Sequence, residues 1–222
     1  MPPDRPALRR DEPALRPDRQ AEAQLRYIRE TMARTAEFTA VSGWGGIAMG
    51  LTALAAAALA AAQPTVSGWL RVWVAAALIG FAIGAWATAR KAQRHGVPLL
   101  SGQGRKFLLG LAPALCAGLA LTLAVYGFDV EAAGERFARL GVADATASLR
   151  LLPGLWLLLY GIGVISAGMF SIRLIPLLGA AFLLVGTLAL LSPATWATAW
   201  MAVGFGGLHL TFGLLIARRH GG

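Results

Sequence analysis

The sequence between residues 40 and 216 is a nearly continuous apolar run that short polar breaks divide into six stretches. A helix needs roughly 20 apolar residues to cross the hydrocarbon core of a bilayer. Stretches of about this length lie at 40–62, 68–89, 107–127, 151–170, 174–192 and 195–216. None alternates apolar with polar residues, as the strands of a membrane barrel must. The sequence therefore predicts an all-α, polytopic integral membrane protein, a bundle of six transmembrane helices.

The segments outside the apolar run are short and differ in character. Residues 1–17 contain five prolines among mixed charges, which predicts a disordered cytoplasmic tail. Residues 18–39 are predicted to form an amphipathic cytoplasmic helix, because acidic and basic side chains follow one another at four-residue spacing. The residues with this spacing are Glu22, Arg26, Glu30 and Arg34. Residues 217–222 form a second cytoplasmic tail.

The distribution of Lys and Arg predicts the orientation of the chain. Sixteen of them fall in the two tails and in the second and fourth connections, whereas four fall in the first and third connections. The positive-inside rule then places both tails in the cytoplasm. Tryptophans at the span ends agree with this, and those predicted near the outer interface are Trp69, Trp73, Trp156, Trp196 and Trp200. The Ala-, Leu-, Gly- and Arg-rich composition indicates a bacterial plasma membrane.

The connection between the second and third spans is strongly basic and has no acidic residue. We predict that it binds anionic lipid headgroups on the cytoplasmic side through Arg90, Lys91, Arg94, Arg105 and Lys106. The formal net charge of +9 does not indicate a nucleic-acid partner, because the basic residues flank membrane spans and are not gathered on a soluble fold.

Small residues recur at the spacing that allows helix backbones to approach closely in a membrane. The residues predicted to pack helices are Gly46 and Gly50 in the first span, Gly80 and Gly84 in the second, Gly110 and Gly118 in the third, and Gly163 in the fourth. Packing within the chain accounts for most of these positions. One row is left open for a homodimer or for another membrane protein.

His209 is the one histidine or charged residue well inside a span, and placing such a group in a bilayer is costly. Two interpretations stay open. His209 is either a ligand or proton-relay residue, or a neutral core histidine bonded to a hydroxyl or a carbonyl of a neighbouring helix. Ser166 lies at a similar depth and is the better candidate partner. Thr187 lies farther toward the outer face.

Residues that would indicate a particular reaction are scarce. The spans contain no Asp or Glu, and the single cysteine, Cys116, has no partner in the chain. We therefore predict no catalytic residue, metal site or cofactor. The pattern favours a non-enzymatic bundle that acts through protein or lipid contacts in a sensory, stress or scaffolding role. The alternative is a small transporter or channel subunit in which His209 lines the pathway, and a membrane-embedded enzyme is the third interpretation.

Overall fold

A computed structural model describes residues 21–28, 41–94, 96, 102–126 and 146–220. This part of the chain forms helices joined by short turns, and no β-strand occurs among these residues. The predicted all-α class is confirmed.

The amino-terminal part of the chain is a separate compact unit, residues 1–36, distinct from the unit of residues 37–222. Within it, residues 21–28 are helical and all eight side chains are exposed. The predicted disordered tail, residues 1–17, and the rest of the predicted helix over 18–39 lie outside the described residues.

Six long helices make up the second unit. They are α1, Gly43–Ala61; α2, Val66–Arg94; α3, Gly102–Tyr126; α4, Thr146–Gly168; α5, Leu174–Leu191; and α6, Ala194–His220. The last is composite, with a 3₁₀ turn at Ala194–Trp196, an α-helix at Ala197–Met201, a π-helix at Ala202–Leu208 and an α-helix at His209–His220. All six are long and apolar enough to cross a membrane, so the chain is a multi-pass membrane protein.

Helix ends are set by capping side chains and by basic turns. The Ser42 hydroxyl accepts a hydrogen bond of 3.1 Å from the Gly45 N–H at the start of α1. Thr65 does the same for the Gly68 N–H at the start of α2, also at 3.1 Å. The second helix continues past its apolar stretch to Arg94, since cations stabilise the carboxyl end of a helix.

The helices are not equally buried. The most extensive contacts join α4 to α5, α3 to α4, α1 to α2 and α1 to α6. In the most apolar part of each helix, only 6% of the residues are buried in α2 and in α3, against 50% in α4. The core therefore lies among α1, α4, α5 and α6, while α2 covers α1 and α3 covers α4.

Glycines seven residues apart, or about two helical turns, bring the backbones of α1 and α6 together. Gly43 and Gly50 of α1 face Gly213 and Gly206 of α6. A Cβ added at Gly50 would lie 2.9 Å from the Gly206 carbonyl oxygen, and one added at Gly213 would lie 2.7 Å from the Ile47 nitrogen. These are backbone atoms, so neither position has room for a larger residue.

The same arrangement joins α4 to α5. Gly161 faces Gly179, and Cβ atoms added to them would lie 2.9 Å and 2.7 Å from the opposite carbonyl oxygens. Gly154 and Gly186 meet two turns farther along, where both distances would be 3.1 Å. We call the α1–α6 and α4–α5 contacts the two glycine seams.

The glycines predicted to pack helices divide into four groups. Gly46 and Gly50 lie in the α1–α6 seam, and Gly110 and Gly163 pack α3 against α4. A Cβ at Gly84 would lie 3.0 Å from the Met49 sulfur, so this glycine packs α2 on α1. At Gly80 and Gly118 an added Cβ would have no atom of another element within 4 Å.

A tryptophan cluster joins four helices in the half of the bundle where α2 and α6 begin. Trp69 of α2 donates a 2.8 Å hydrogen bond from its indole nitrogen to the Thr198 hydroxyl of α6. Its ring stacks on Trp156 of α4, with centroids 6.2 Å apart and an interplanar angle of 8°. Trp156 in turn donates to the Thr122 hydroxyl of α3 at 3.0 Å.

Candidate functional site

A π-helical segment, Ala202–Leu208, interrupts α6 in the middle of the bundle. Its sequence, AVGFGGL, contains three glycines. Glycine has a low preference for the α-helix, so a segment rich in glycine departs from α-helical geometry at little cost. Gly204 packs directly against the Leu157 side chain of α4, and Gly206 packs against Leu54 of α1. The segment is thus fixed by contacts on two sides. π-Helices are rare and occur frequently at functional sites.

His209 follows this segment and is only 5% exposed. Its Nδ1 lies 2.9 Å from the carbonyl oxygen of Phe205. Its Nε2 lies 2.9 Å from the Tyr160 hydroxyl of α4. A carbonyl only accepts hydrogen bonds, so Nδ1 must carry the proton and Nε2 must accept from the Tyr160 O–H. Both ring nitrogens of the neutral histidine are therefore bonded inside the protein.

Aromatic rings enclose this hydrogen bond. The Tyr160 ring lies edge-on to Phe182 of α5 at a centroid distance of 4.8 Å and to Phe205 of α6 at 5.3 Å. Phe182 is completely buried and also lies 5.4 Å from the His209 ring. Edge-to-face pairs of this kind stabilise contacts beyond the area they bury. The Tyr160–His209 site, by which we mean Tyr160, Phe182, Phe205 and His209, therefore joins α4, α5 and α6.

The two predicted partners of His209 lie elsewhere in the bundle. The backbone of Ser166 faces α3, since a Cβ at Gly110 would lie 2.9 Å from the Ser166 carbonyl carbon. Thr187 is exposed, and its hydroxyl donates to the Leu183 carbonyl of its own helix at 2.8 Å. The fourth span does supply the hydroxyl, but from Tyr160. Tyr160 is not among the predicted residues, although it is the only tyrosine well inside a predicted span.

The chemistry open to this site is limited, because both ring nitrogens of His209 already have a hydrogen-bond partner. His209 can take up a proton at Nε2 only if the Tyr160 hydroxyl turns to accept the hydrogen bond that it now donates, and a ligand can bind there only after this bond breaks. No group of three His, Cys, Asp or Glu side chains that could hold a metal ion occurs in the described part of the chain. The geometry fits a His209 that links helices by hydrogen bonds better than a His209 that is free to bind a ligand.

The basic residues predicted to bind headgroups do not share one environment. Arg90, Arg94, Arg105 and Lys106 are exposed. Lys91 differs, because it is only 4% exposed and donates to the carbonyls of Val41 at 3.1 Å and of His220 at 2.9 Å. The prediction has to be corrected at this position, since Lys91 is used to hold the fold together.

Two of the exposed cations lie over aromatic rings. The guanidinium carbon of Arg90 is 5.1 Å from the centroid of the Trp86 ring, one helical turn away. The ammonium of Lys106 is 5.5 Å from the Phe170 ring, beyond the end of α4. Such cation–π contacts hold long side chains in place at a surface.

Comparisons with models of protein families, with curated proteins and with solved structures found no match for this chain.

Proposed function

We propose that this chain is a non-enzymatic membrane protein that acts through contacts with lipids, with a second copy of itself or with another membrane protein. The observation that carries the proposal is the saturation of His209, whose two ring nitrogens are bonded to Phe205 and Tyr160. The best sequence candidate for a ligand or proton-relay residue therefore has a structural partner at each nitrogen.

The charge distribution supports the same proposal. Residues 41–126 and 146–220 contain no Asp or Glu, so the described part of the six helices offers no carboxylate to bind a cation or relay a proton. Several polar side chains at the helix interfaces instead bond to one another, as Trp69 does to Thr198 and Tyr160 does to His209. Contacts of this type stabilise a bundle and need no bound substrate.

The alternative function, a small transporter or channel subunit, is favoured by one observation. The π-helix at Ala202–Leu208 directly precedes His209, and a π-helix that relaxes to α-helix would rotate the residues that follow it. Such a rotation would separate His209 from Tyr160 and free its Nε2 to act in a pathway.

Flux through reconstituted liposomes separates the two functions. We expect liposomes containing the wild-type protein, or the variant His209→Gln, to release protons, Na⁺ and K⁺ at the rate of protein-free liposomes. An ion-selective dye inside the vesicles measures each flux. Flux above that rate in the wild type, lost in His209→Gln but kept in Thr187→Val, would overturn the proposal and establish the transporter.

We also propose that the protein lies in a bacterial plasma membrane, with residues before α1 and after α6 in the cytoplasm. The α2–α6 hydrogen bond from Lys91 to His220 places those helix ends together, and the exposed cations Arg90, Arg94, Arg218 and Arg219 flank it. Arg71 of α2 lies at the opposite end of that helix. The positive-inside rule supports a cytoplasmic position for the basic end.

Cysteine labelling tests this orientation. In a Cys116→Ala background, a membrane-impermeant maleimide is expected to label Ala62→Cys in intact bacterial cells. It is expected to label Gln93→Cys only after the cells are permeabilised. Both positions are exposed and lie near opposite ends of α2. The reverse labelling pattern would contradict the proposed orientation.

A further inference from the structure

We propose that the end of α2 and the end of α6 together form a binding site for one anionic phospholipid, with the lipid phosphate bound by Arg90, Arg94, Arg218 and Arg219. We call these four residues the basic corner. The inference deepens the proposed contact function and rests on it, because it names the partner and the surface.

The Lys91 ammonium assembles the basic corner. Lys91 lies between Arg90 and Arg94 in α2, and it donates a 2.9 Å hydrogen bond to the His220 carbonyl, which directly follows Arg219. A second bond of 3.1 Å reaches the Val41 carbonyl before α1. Two basic segments that are far apart in the sequence are thereby held at one place on the surface.

The charge at this place is not balanced within the described bundle. The four arginines are exposed, and the described residues from 41 to 220 include no acidic side chain. The carboxyl ends of α2 and α6 carry partial negative charges equivalent to about half an elementary charge each, so together they offset roughly one cation. A net positive charge of several units remains, which attracts an anionic headgroup.

The geometry of the cations suits a phosphate group. Arginine presents a planar fork of N–H donors that matches two oxygens of a phosphate at once. The guanidinium carbon of Arg90 lies 5.1 Å from the centroid of the Trp86 ring, and this cation–π contact limits the motion of the side chain. Arg94 lies one turn farther along the same face of α2.

An exposed apolar surface continues from the arginines toward the middle of α2, and this favours a lipid over a soluble phosphate. Trp86 is 62% exposed, and Ile79 and Leu78, two turns before it, are 52% and 67% exposed. Ala82 lies between them along α2 and is also exposed. An amphiphile with an anionic head and an acyl chain matches this sequence of polar and apolar contacts.

Native mass spectrometry of the protein released from nanodiscs tests the site. The nanodiscs contain phosphatidylcholine and phosphatidylglycerol, and the retained lipids are counted by mass. We expect the wild type to retain phosphatidylglycerol in preference to phosphatidylcholine. Each basic residue near a membrane surface strengthens such binding by about fivefold, so Arg90→Gln/Arg94→Gln and Arg218→Gln/Arg219→Gln should each weaken retention by at least tenfold.

The matched control is Arg71→Gln/Arg173→Gln, which removes the same charge from two exposed positions outside the basic corner. We expect it to retain phosphatidylglycerol as the wild type does. Equal losses in the control and in the corner variants would overturn the site, because they would show a diffuse charge effect. Displacement of all bound lipid by excess inorganic phosphate would also overturn it, since the site would then recognise phosphate alone.

Variant folding is checked by circular dichroism and by a single peak in size-exclusion chromatography. The four arginines are exposed, so their replacement by glutamine is expected to preserve both. If the wild type showed no preference for phosphatidylglycerol, the lipid site would be wrong, whatever the result of the liposome flux experiment. If flux depended on His209 while lipid retention stayed as expected, the proposed contact function would be wrong and the lipid site would stand. The two failures are therefore distinguishable.

Discussion

Replacing Gly213 by alanine is expected to lower the free energy of unfolding by about 1–3 kcal/mol, the usual cost of adding a methyl group to a packed interface. The added Cβ would lie 2.7 Å from the Ile47 nitrogen and 2.9 Å from the Gly43 carbonyl oxygen. Because both are backbone atoms of α1, the two helices must separate along the seam. Reversible unfolding in mixed micelles, followed by circular dichroism, measures the change.

The same substitution at Gly80 is the matched control. Both residues are helical glycines that become alanine, and alanine favours a helix over glycine by about 1 kcal/mol. At Gly80 the added Cβ has no atom of another element within 4 Å. We therefore expect Gly80→Ala to be neutral or stabilising. If Gly213→Ala were as stable as Gly80→Ala, the close α1–α6 packing would be wrong.

Removing the Tyr160 hydroxyl is the second substitution with a large expected effect. In Tyr160→Phe, the His209 Nε2 lone pair loses its 2.9 Å partner inside the ring of aromatic side chains. A buried acceptor left unpaired costs about 1–3 kcal/mol. Hydrogen bonds between membrane helices have measured values that average about 0.6 kcal/mol and reach about 1.7 kcal/mol. We expect Tyr160→Phe to lower the free energy of unfolding by about 1 kcal/mol.

A double-mutant cycle with His209→Leu isolates the contribution of this bond. Once the histidine is gone, removing the tyrosine hydroxyl should cost much less than it does in the wild type. Thr187→Val is the matched control, because the Thr187 hydroxyl is exposed and bonds only within α5. It should leave the stability unchanged. Additive effects of Tyr160→Phe and His209→Leu would show that the two side chains are not coupled.

The helices themselves were predictable from the sequence. Each predicted span overlaps one observed helix, with ends that differ by at most five residues and by one at most for α5, predicted at 174–192 and observed at Leu174–Leu191. The physical reason is that a bilayer core requires a long apolar stretch and leaves no backbone polar group unpaired. Apolar length alone therefore determines where a helix crosses.

The site was only partly predictable. His209 was identifiable because a histidine deep in a span is costly and therefore conspicuous. Its partner was not, since the choice among Ser166, Thr187 and Tyr160 depends on how α4 and α5 are rotated about their axes. The π-helix before His209 also changes the direction in which its side chain points. The periodicity of apolar residues does not reveal the extra residue per turn of a π-helix.

Sequence by itself determined the membrane spans, the all-α class and the collection of basic residues at particular span ends. Tertiary structure alone decided which faces of those helices meet. All six spans are apolar around most of their circumference, and lipid chains are as apolar as leucine, so hydropathy does not distinguish a lipid-facing side from a packed one. Steric fit between backbones decides instead. This is why Gly213 lies in a seam while Gly80 does not, and why Lys91 is buried between Arg90 and Arg94, which are exposed.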